Sequence, residues 1–360
     1  MILKIIQYVG GGKMYNRDKI YNIDKKIFFR EELNGITVYN STFNDYSFYE
    51  DCNISDFFEK NTTLTKENLY NYLNAYKKST NIKFRYPFRI NWLVSDYCNL
   101  NCIYCFADNK LNSSNMDDVD YKKVVKNLLH YRPLSVGLTG GEPTLNSNLS
   151  NIIDGLSGKC AIIIDTNGTT NRLETCLNSI IKSNATVRIT VDSTDDLIIN
   201  SVRPFCRNSF QIIDKNIKML LDNNIRVIIH TVVTKKNLHA IEKIYDYIAD
   251  KKIVKWQLYP VCYAEKCKKI YELLKVSDVE LEHLERKLYN KNNGNLDIKI
   301  YKNSKDFSTG AVLMLDVKGN YFIDTIFNGI RYCGAKTDKP AINEIRKCIN
   351  VNNHIDDYLG

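Results

Sequence analysis

Apolar and polar positions along the chain follow two different patterns, and the change falls near residue 87. Upstream, short runs such as Ile27-Phe-Phe-Arg-Glu-Glu-Leu, Gly35-Ile-Thr-Val-Tyr and Asp45-Tyr-Ser-Phe-Tyr are rich in aromatic and β-branched residues and are separated by Asn and Gly. Such runs predict short paired strands. Two helical stretches follow, at residues 54–59 and 66–78, the second with Leu69, Tyr72, Leu73 and Tyr76 on one face. Strands first and helices second describe a small N-terminal α+β module over residues 1–86.

From Phe88 onward, runs of strand length alternate with amphipathic stretches. Arg89-Ile-Asn-Trp-Leu-Val, Leu134-Ser-Val-Gly-Leu-Thr, Ala161-Ile-Ile-Ile-Asp, Thr186-Val-Arg-Ile-Thr-Val, Arg226-Val-Ile-Ile-His-Thr-Val and Val254-Lys-Trp-Gln-Leu-Tyr read as strands. Helices are predicted at residues 121–131, 149–156, 173–182, 210–222, 238–249 and 278–288. Six βα units in succession predict an α/β fold with a parallel sheet covered by helices. Closing a TIM barrel takes eight units, so the expected architecture is an open partial TIM barrel over residues 87–275. A short C-terminal extension, residues 276–360, holds further strands at 311–316 and 321–323 around the turn Lys318-Gly-Asn.

Composition narrows the picture only slightly. A hydrophobic fraction of 44% and a charged fraction of 25% are those of a globular chain of 360 residues. The sequence has no apolar run of membrane-spanning length and no secretory start, so the expected location is cytoplasmic, without a membrane partner. The net charge of +9 comes from basic residues scattered along the chain, which gives no sign of a nucleic-acid partner. Eleven cysteines do carry information. An odd number at irregular spacing in a chain without export signals fits metal binding better than a disulfide framework.

Cys98-Asn-Leu-Asn-Cys102-Ile-Tyr-Cys105 has the spacing CxxxCxxC just past the first core strand. Three thiolates so close together can hold three irons of a 4Fe-4S cluster and leave the fourth open for a ligand. The competing readings are three unrelated buried thiols and a structural zinc site, for which a fourth ligand is not evident nearby. A second signal, Thr139-Gly140-Gly141-Glu142-Pro143, ends the second core strand. Adjacent glycines permit close backbone approach, Pro143 fixes the turn, and Glu142 offers an acceptor for an ammonium group. Both motifs sit at carboxyl ends of neighbouring parallel strands, where α/β sheets place their ligands.

Together, the CxxxCxxC loop, the Gly-Gly-Glu-Pro motif and the six βα units resemble the radical S-adenosylmethionine (SAM) superfamily over roughly residues 88–275. The resemblance implies a 4Fe-4S cluster on Cys98, Cys102 and Cys105 and SAM chelated at its open iron. It further implies reductive cleavage of SAM to a 5′-deoxyadenosyl radical that abstracts hydrogen from substrate, with electrons from a reductant such as flavodoxin or ferredoxin. Carried over residue by residue, Tyr104 takes the position that packs near the adenine, and Gly140, Gly141 and Glu142, with Pro143, meet the methionine amino group. Asp192 and Ser193 fall where the family contacts the ribose or methionyl part, and Arg203 where an arginine pairs with the SAM carboxylate. Asn167, in Asp-Thr-Asn-Gly, reads as a turn residue as readily as a ligand contact.

The N-terminal module loosely resembles the PqqD-type domains of peptide-maturing radical SAM enzymes, which bind a leader peptide as an added strand. A ribosomally made precursor peptide is the substrate this implies. Cys262, Cys267, Cys333 and Cys348 do not reproduce the dense cysteine pattern of auxiliary-cluster domains, so a single cluster is expected. Cys262, just past the sixth core strand, reads first as a buried free thiol and is also a candidate hydrogen-atom donor. Lys255-Trp-Gln-Leu-Tyr and Leu313-Met-Leu-Asp-Val-Lys-Gly resemble parts of viperin-type nucleotide enzymes, which do without such an N-terminal module. Activation of a partner by glycyl-radical installation is a third class, whose usual cysteine-rich insert is missing here, and small-molecule chemistry is a fourth.

Overall fold

The computed structural model describes residues 7–9, 13–105, 119–204, 208–263, 265–302, 312–325, 329–333 and 342–359. A hairpin of β1 (Gln7–Val9) and β2 (Lys13–Tyr15) precedes a four-stranded antiparallel sheet. Its strands, β3 (Tyr21–Ile23), β4 (Ile27–Glu31), β5 (Gly35–Asn40) and β6 (Asp45–Glu50), lie in sequence order. Two helices follow, α1 (Ile54–Lys60) and α2 (Lys66–Leu73), with Asn53 and Thr65 as side-chain N-caps.

This sheet is buried on both faces, so β4 and β5 are buried along their whole length, Arg30 and Glu31 included. Ile27, Phe29, Ile36 and Val38 pack on Phe57, Leu69 and Leu73 of α1 and α2. Phe28, Tyr39, Tyr46 and Phe48 face the other way, onto Phe88, Leu134, Ala161 and Ile163 at the amino ends of the core strands. The module therefore plugs the floor of the barrel. The buried Arg30 stitches the joint, with Nε 2.7 Å from Glu32 Oε1 and Nη1 3.1 Å from the carbonyl of Pro87. Helix α2 ends at Leu73, five residues short of the sequence expectation. Residues 77–79 are instead drawn out along the edge of β6, where Glu50 N donates to the carbonyl of Lys77 at 3.0 Å and Ser79 N to that of Phe48 at 3.0 Å.

The core strands are β7 (Arg89–Ser95), β8 (Ser135–Gly140), β9 (Ala161–Thr166), β10 (Thr186–Thr190), β11 (Arg226–Val233) and β12 (Ile253–Pro260), each parallel to the next. Helices α3 (Tyr121–His130), α4 (Leu149–Leu156), α5 (Leu177–Ser183), α6 (Asp196–Val202), α7 (Ser209–Asp222), α8 (Ile241–Ile248), α9 (Tyr271–Leu274) and α10 (Asp278–Lys291) connect them and follow β12. The helix expected at 173–182 begins as a 3-10 turn, Asn171–Cys176, before α5. Outward strand residues such as Val187 and Ile189 form the main core with helix residues such as Ile217 of α7 and Ile244 of α8.

Two further parallel strands flank the six: β13 (Ile298–Ile300) on β12 and β14 (Leu313–Leu315) on β7. Antiparallel β15 (Tyr321–Thr325) and β16 (Gly329–Tyr332) extend the β14 edge. Ala311, the expected start of the β14 strand, lies outside the described residues. Helices α11 (Ile342–Cys348) and α12 (Val351–Leu359) close the chain, and α12 returns to the floor, where the His354 ring stacks on Phe88 at 4.9 Å. Among the described residues, no helix is long and apolar enough to cross a membrane.

Candidate active site

The carboxyl ends of β7 to β12 gather nearly every residue that sequence reading singled out. Cys98, Cys102 and Cys105 follow β7 on a loop pinned at several points. Ile103 N donates to the carbonyl of Val202 at 3.0 Å, and Cys105 N to that of Cys102 at 3.2 Å. The three thiols are partly exposed and outside any disulfide. Burial, followed by weaker contributions from neighbouring charged groups, raises the Cys98 thiol above its ordinary value. Burial likewise pushes Cys102 to about 12 against the opposing pull of Arg203.

The Gly-Gly-Glu-Pro turn lies against this loop. Gly141 N donates to the carbonyl of Ser95 at 2.7 Å and Glu142 N to that of Tyr97 at 2.8 Å. A Cβ on Gly140, whose φ is +132°, would lie 2.2 Å from Ser95 O, and one on Gly141 would lie 2.3 Å from Tyr97 O. The close approach these glycines permit is to the chain's own cysteine loop. Pro143 is buried and opens a 3-10 turn, Pro143–Leu145, whose N-cap is Glu142.

Glu142 is fully buried and accepts four hydrogen bonds from the chain. Oε1 receives Thr144 N at 3.1 Å, Thr144 Oγ1 at 2.7 Å and Thr166 Oγ1 at 2.7 Å, and Oε2 receives Asn167 N at 2.8 Å. Burial raises its pKa despite these donors. The carboxylate thus ties the end of β8 to the end of β9.

A second buried carboxylate supports the other wall. Asp192, just past β10, accepts Val232 N on Oδ1 at 2.9 Å. Its Oδ2 receives Arg203 Nε at 2.7 Å and the hydroxyl of Tyr104. Ser193 is equally buried, and its Oγ accepts Asp195 N at 3.0 Å. Arg203 also meets the Tyr104 hydroxyl at 3.0 Å and the carbonyl of Asn167 at 3.3 Å, yet its buried Nη2 has no partner among the described residues. Burial disfavours the guanidinium charge, but Asp192 outweighs it and holds the pKa above its ordinary value.

Sequence reading undervalued Asn167. It is a turn residue, with Oδ1 accepting Thr169 N at 2.8 Å, and it also reaches the cysteine loop. Its Nδ2 donates to Asn99 Oδ1 at 2.9 Å and approaches Cys98 Sγ at 3.8 Å. The signal was its place at the end of a parallel strand, the same that distinguished Gly140. Thr144, Thr166 and Asn237 went unnoticed because an isolated hydroxyl or amide carries no pattern. Asn237 Nδ2 clips the carbonyls of Asp192, at 3.0 Å, and Val232, at 2.9 Å.

Cys262 follows β12, and its carbonyl accepts weakly from Cys267 Sγ at 3.5 Å; the adjoining Val261 and Cys267 pack with Ile103 and Tyr104. Cys262 Sγ donates weakly to the carbonyl of Pro260 at 3.6 Å, and burial pushes the thiol to about 11. Cys333 packs in the main core beside Cys348, so the two later cysteine pairs belong to different apolar clusters.

The residues present fit a cluster with a bound anionic ligand. Three thiols converge on one loop, and an unpartnered buried guanidinium nitrogen lies within electrostatic reach of Cys102. Among the described residues, no three His, Cys, Asp or Glu side chains close around a point fit for a single metal ion.

Comparison with known proteins agrees with this geometry. Residues 92–248 match the family described as the Radical SAM superfamily. An uncharacterized protein of Methanocaldococcus jannaschii is 33% identical over 164 residues, which cover 43% of this chain and 56% of that relative, so the match spans little more than half the relative's length. The structure of Streptococcus suis SuiB bound to precursor peptide SuiA superposes with a TM-score of 0.63 at 18% identity, covering 94% of this chain and 89% of that one. Native anSMEcpe with bound AdoMet gives a TM-score of 0.58 at 19% identity over 76% of this chain and 82% of that one. Residues 92–248, with the cysteine loop near their start, thus match the Radical SAM superfamily, and the chain shares the fold of these two structures.

Proposed function

We propose that the chain holds a 4Fe-4S cluster on Cys98, Cys102 and Cys105, binds SAM beside it, and abstracts hydrogen from a ribosomally made precursor peptide. The observation that carries the SAM reading is the unpartnered Nη2 of Arg203, buried among the cysteine loop, Asn167 and Asp192. When bound and reduced, the cluster with SAM supplies a 5′-deoxyadenosyl radical, the species that takes a hydrogen atom from substrate.

The chain's residues bind and orient. Arg203, locked by Asp192 and Tyr104, is set to receive the SAM carboxylate on Nη2. Glu142 holds Gly140 and Gly141 against the cysteine loop, and the methionine ammonium joins the donors around its carboxylate. The Tyr104 ring packs near the adenine, fixed through its hydroxyl. Asp192 and Ser193 support this wall from behind, and Cys262 stands at its edge as a hydrogen-atom donor.

The peptide reading is supported by the similarity of fold to SuiB, which extends over 94% of this chain and therefore beyond the core. In this reading residues 1–86 recognise the leader, residues 87–275 carry the chemistry, and the C-terminal extension completes the sheet and the floor. The test is anaerobic incubation of reconstituted protein with a strong reductant, SAM and a short peptide encoded beside its gene. Expected are 5′-deoxyadenosine and a mass change in the peptide. 5′-Deoxyadenosine without any change in the peptide would retain the SAM chemistry and reject the substrate.

A further inference from the structure

The inner face of the barrel holds polar groups that the cysteine loop and its surroundings do not use. Along β10 and β11 the outward residues are sealed by helices, while inward Arg188, Thr190, His230 and Val232 are partly open to water. The lumen is thus reachable by solvent. Asp165 lies two residues below Asn167 on the same strand face, about 6.6 Å along the strand. Arg188 grips Asp165 with two hydrogen bonds, Nη2 to Oδ2 at 2.6 Å and Nε to Oδ1, and these two charges cancel.

Arg89 has no such match. Its guanidinium lies over Gly137, where a Cβ would come within 2.5 Å of Nη2. Nε donates to Asn91 Oδ1 at 2.7 Å. Nη2 stands 3.8 Å from Asp165 Oδ2, too far for a hydrogen bond, and is buried without a partner. His230 Nε2 and Gln257 Oε1, on residues paired across β11 and β12, are likewise buried and unpartnered. Of the remaining cations, Arg226 spends its donors on the neutral Asn184 and Thr186 at the amino end of β11, Lys255 pairs with Asp297 at 3.0 Å, and Lys299 is exposed. A buried guanidinium with excess charge and idle donors is costly unless a ligand completes it.

We propose that Arg89, with His230 and Gln257, binds a single carboxylate of the substrate inside the barrel, an Asp or Glu side chain in the case of a peptide. This deepens the functional reading above and rests on it, since the lumen beneath the cysteine loop is then the substrate site. The geometry selects a carboxylate over a polyphosphate, because one idle guanidinium nitrogen with two neutral neighbours suits a single small anion, and Asp165, 3.8 Å from Nη2, disfavours further negative charge. Burial, with Arg188 and Arg89 beside it, holds the His230 imidazole down at about 3, so it adds a hydrogen-bonding group and no charge. Gln257 Nε2 now donates to the Tyr301 hydroxyl at 3.1 Å. A flip of that amide would present its NH2 to the ligand and its oxygen to Tyr301.

The test uses full-length, anaerobically reconstituted protein saturated with SAM, so that the SAM carboxylate cannot compete. Binding of N-acetylglutamate amide, N-acetylglutamine amide and inorganic triphosphate is compared by calorimetry or ligand-observed NMR. The acid should bind at least about tenfold more tightly than the isosteric amide, and Arg89→Gln should erase that preference. Gln257→Leu should weaken acid binding several-fold; it leaves the charges in place and serves if the Arg89 variant does not fold. Equal binding of acid and amide, binding of neither, or a preference that survives Arg89→Gln would overturn the assignment. Tighter, Arg89-dependent binding of triphosphate would overturn it in favour of a nucleotide substrate. Failure of the wild type to bind SAM would instead sink the underlying functional reading.

Discussion

Arg203 and Asp192 form an ion pair sealed from water, with Nε 2.7 Å from Oδ2 and side chains 1% and 0% exposed. The pair joins the end of β10 to the residue after α6, and through Tyr104 it reaches the cysteine loop. Removing one partner strands the other charge in a dry site. Asp192→Asn should therefore destabilise the protein by about 3–5 kcal/mol in urea unfolding. It should also raise the apparent Kd for SAM, because Arg203 loses its orientation. A loss of stability with unchanged SAM affinity would make the pair purely structural.

The glycines of the turn give a sharper test of how the loop is built. Gly140→Ala adds a Cβ 2.2 Å from a backbone oxygen at a φ of +132°, where neither side can yield cheaply. A cost of about 1–3 kcal/mol from backbone strain alone is expected. Because the displaced partner is the cysteine loop, iron incorporation should fall in the same variant while far-ultraviolet circular dichroism stays native. Full iron content in Gly140→Ala would show that the loop tolerates the shift.

Reconstitution should load about four irons per chain. Cys98→Ala, Cys102→Ala and Cys105→Ala should each abolish the cluster's visible absorbance, whereas Cys333→Ala and Cys348→Ala should leave it intact. About eight irons per chain would show that the later cysteines hold a second cluster.

His230 gives the lumen a signature in acid. Burial is the main cause of its depressed pKa, about 3 in the folded protein against an ordinary 6.5. As pH falls the unfolded chain takes up the proton first. Stability from this group is complete above about 6.5 and is lost as pH falls toward about 3. His230→Gln should flatten the slope of unfolding free energy against pH in that window by up to about 1.4 kcal/mol per unit, measured on cluster-free protein. An identical slope in the variant would mean that the imidazole protonates freely in the folded lumen.

Local pattern carried much of this architecture and only the frame of the site. Periodicity located all six βα units, because strands sealed by helices read as apolar runs such as Ala161-Ile-Ile-Ile. Spacing located the cysteine loop and the turn that lies against it. Periodicity could not show that Phe28 and Phe29 serve two different cores, since a sheet buried on both faces has no polar side to alternate with. Nor could it place residues 77–79, which leave the α2 pattern to pair with β6. The supporting shell of Thr144, Thr166, Asn167 and Asn237 is made by contacts between strand ends remote in sequence, which one chain read in order does not reveal.

The floor contact changes how the leader-peptide reading is tested. Deleting residues 1–86 would strip Phe28, Tyr39, Tyr46 and Phe48 from Phe88, Leu134 and Ile163, so the truncated core should aggregate whatever the module recognises. The intact protein offers a cleaner experiment. A peptide added as a strand needs a sheet edge with free backbone groups. The outer edge of β6 is already engaged by residues 77–79, whereas β3, at the other end of the sheet, is bonded on one side to β4. Hydrogen exchange with and without the precursor peptide should therefore show new protection at residues 21–23. Protection confined to residues 45–50 would mean that the peptide displaces the 77–79 segment, a competition that Ser79→Pro, which removes the donor to Phe48, should relieve, tightening binding. If peptide binds and the module's exchange is unchanged at both edges, residues 1–86 serve as the barrel floor and the leader is read elsewhere.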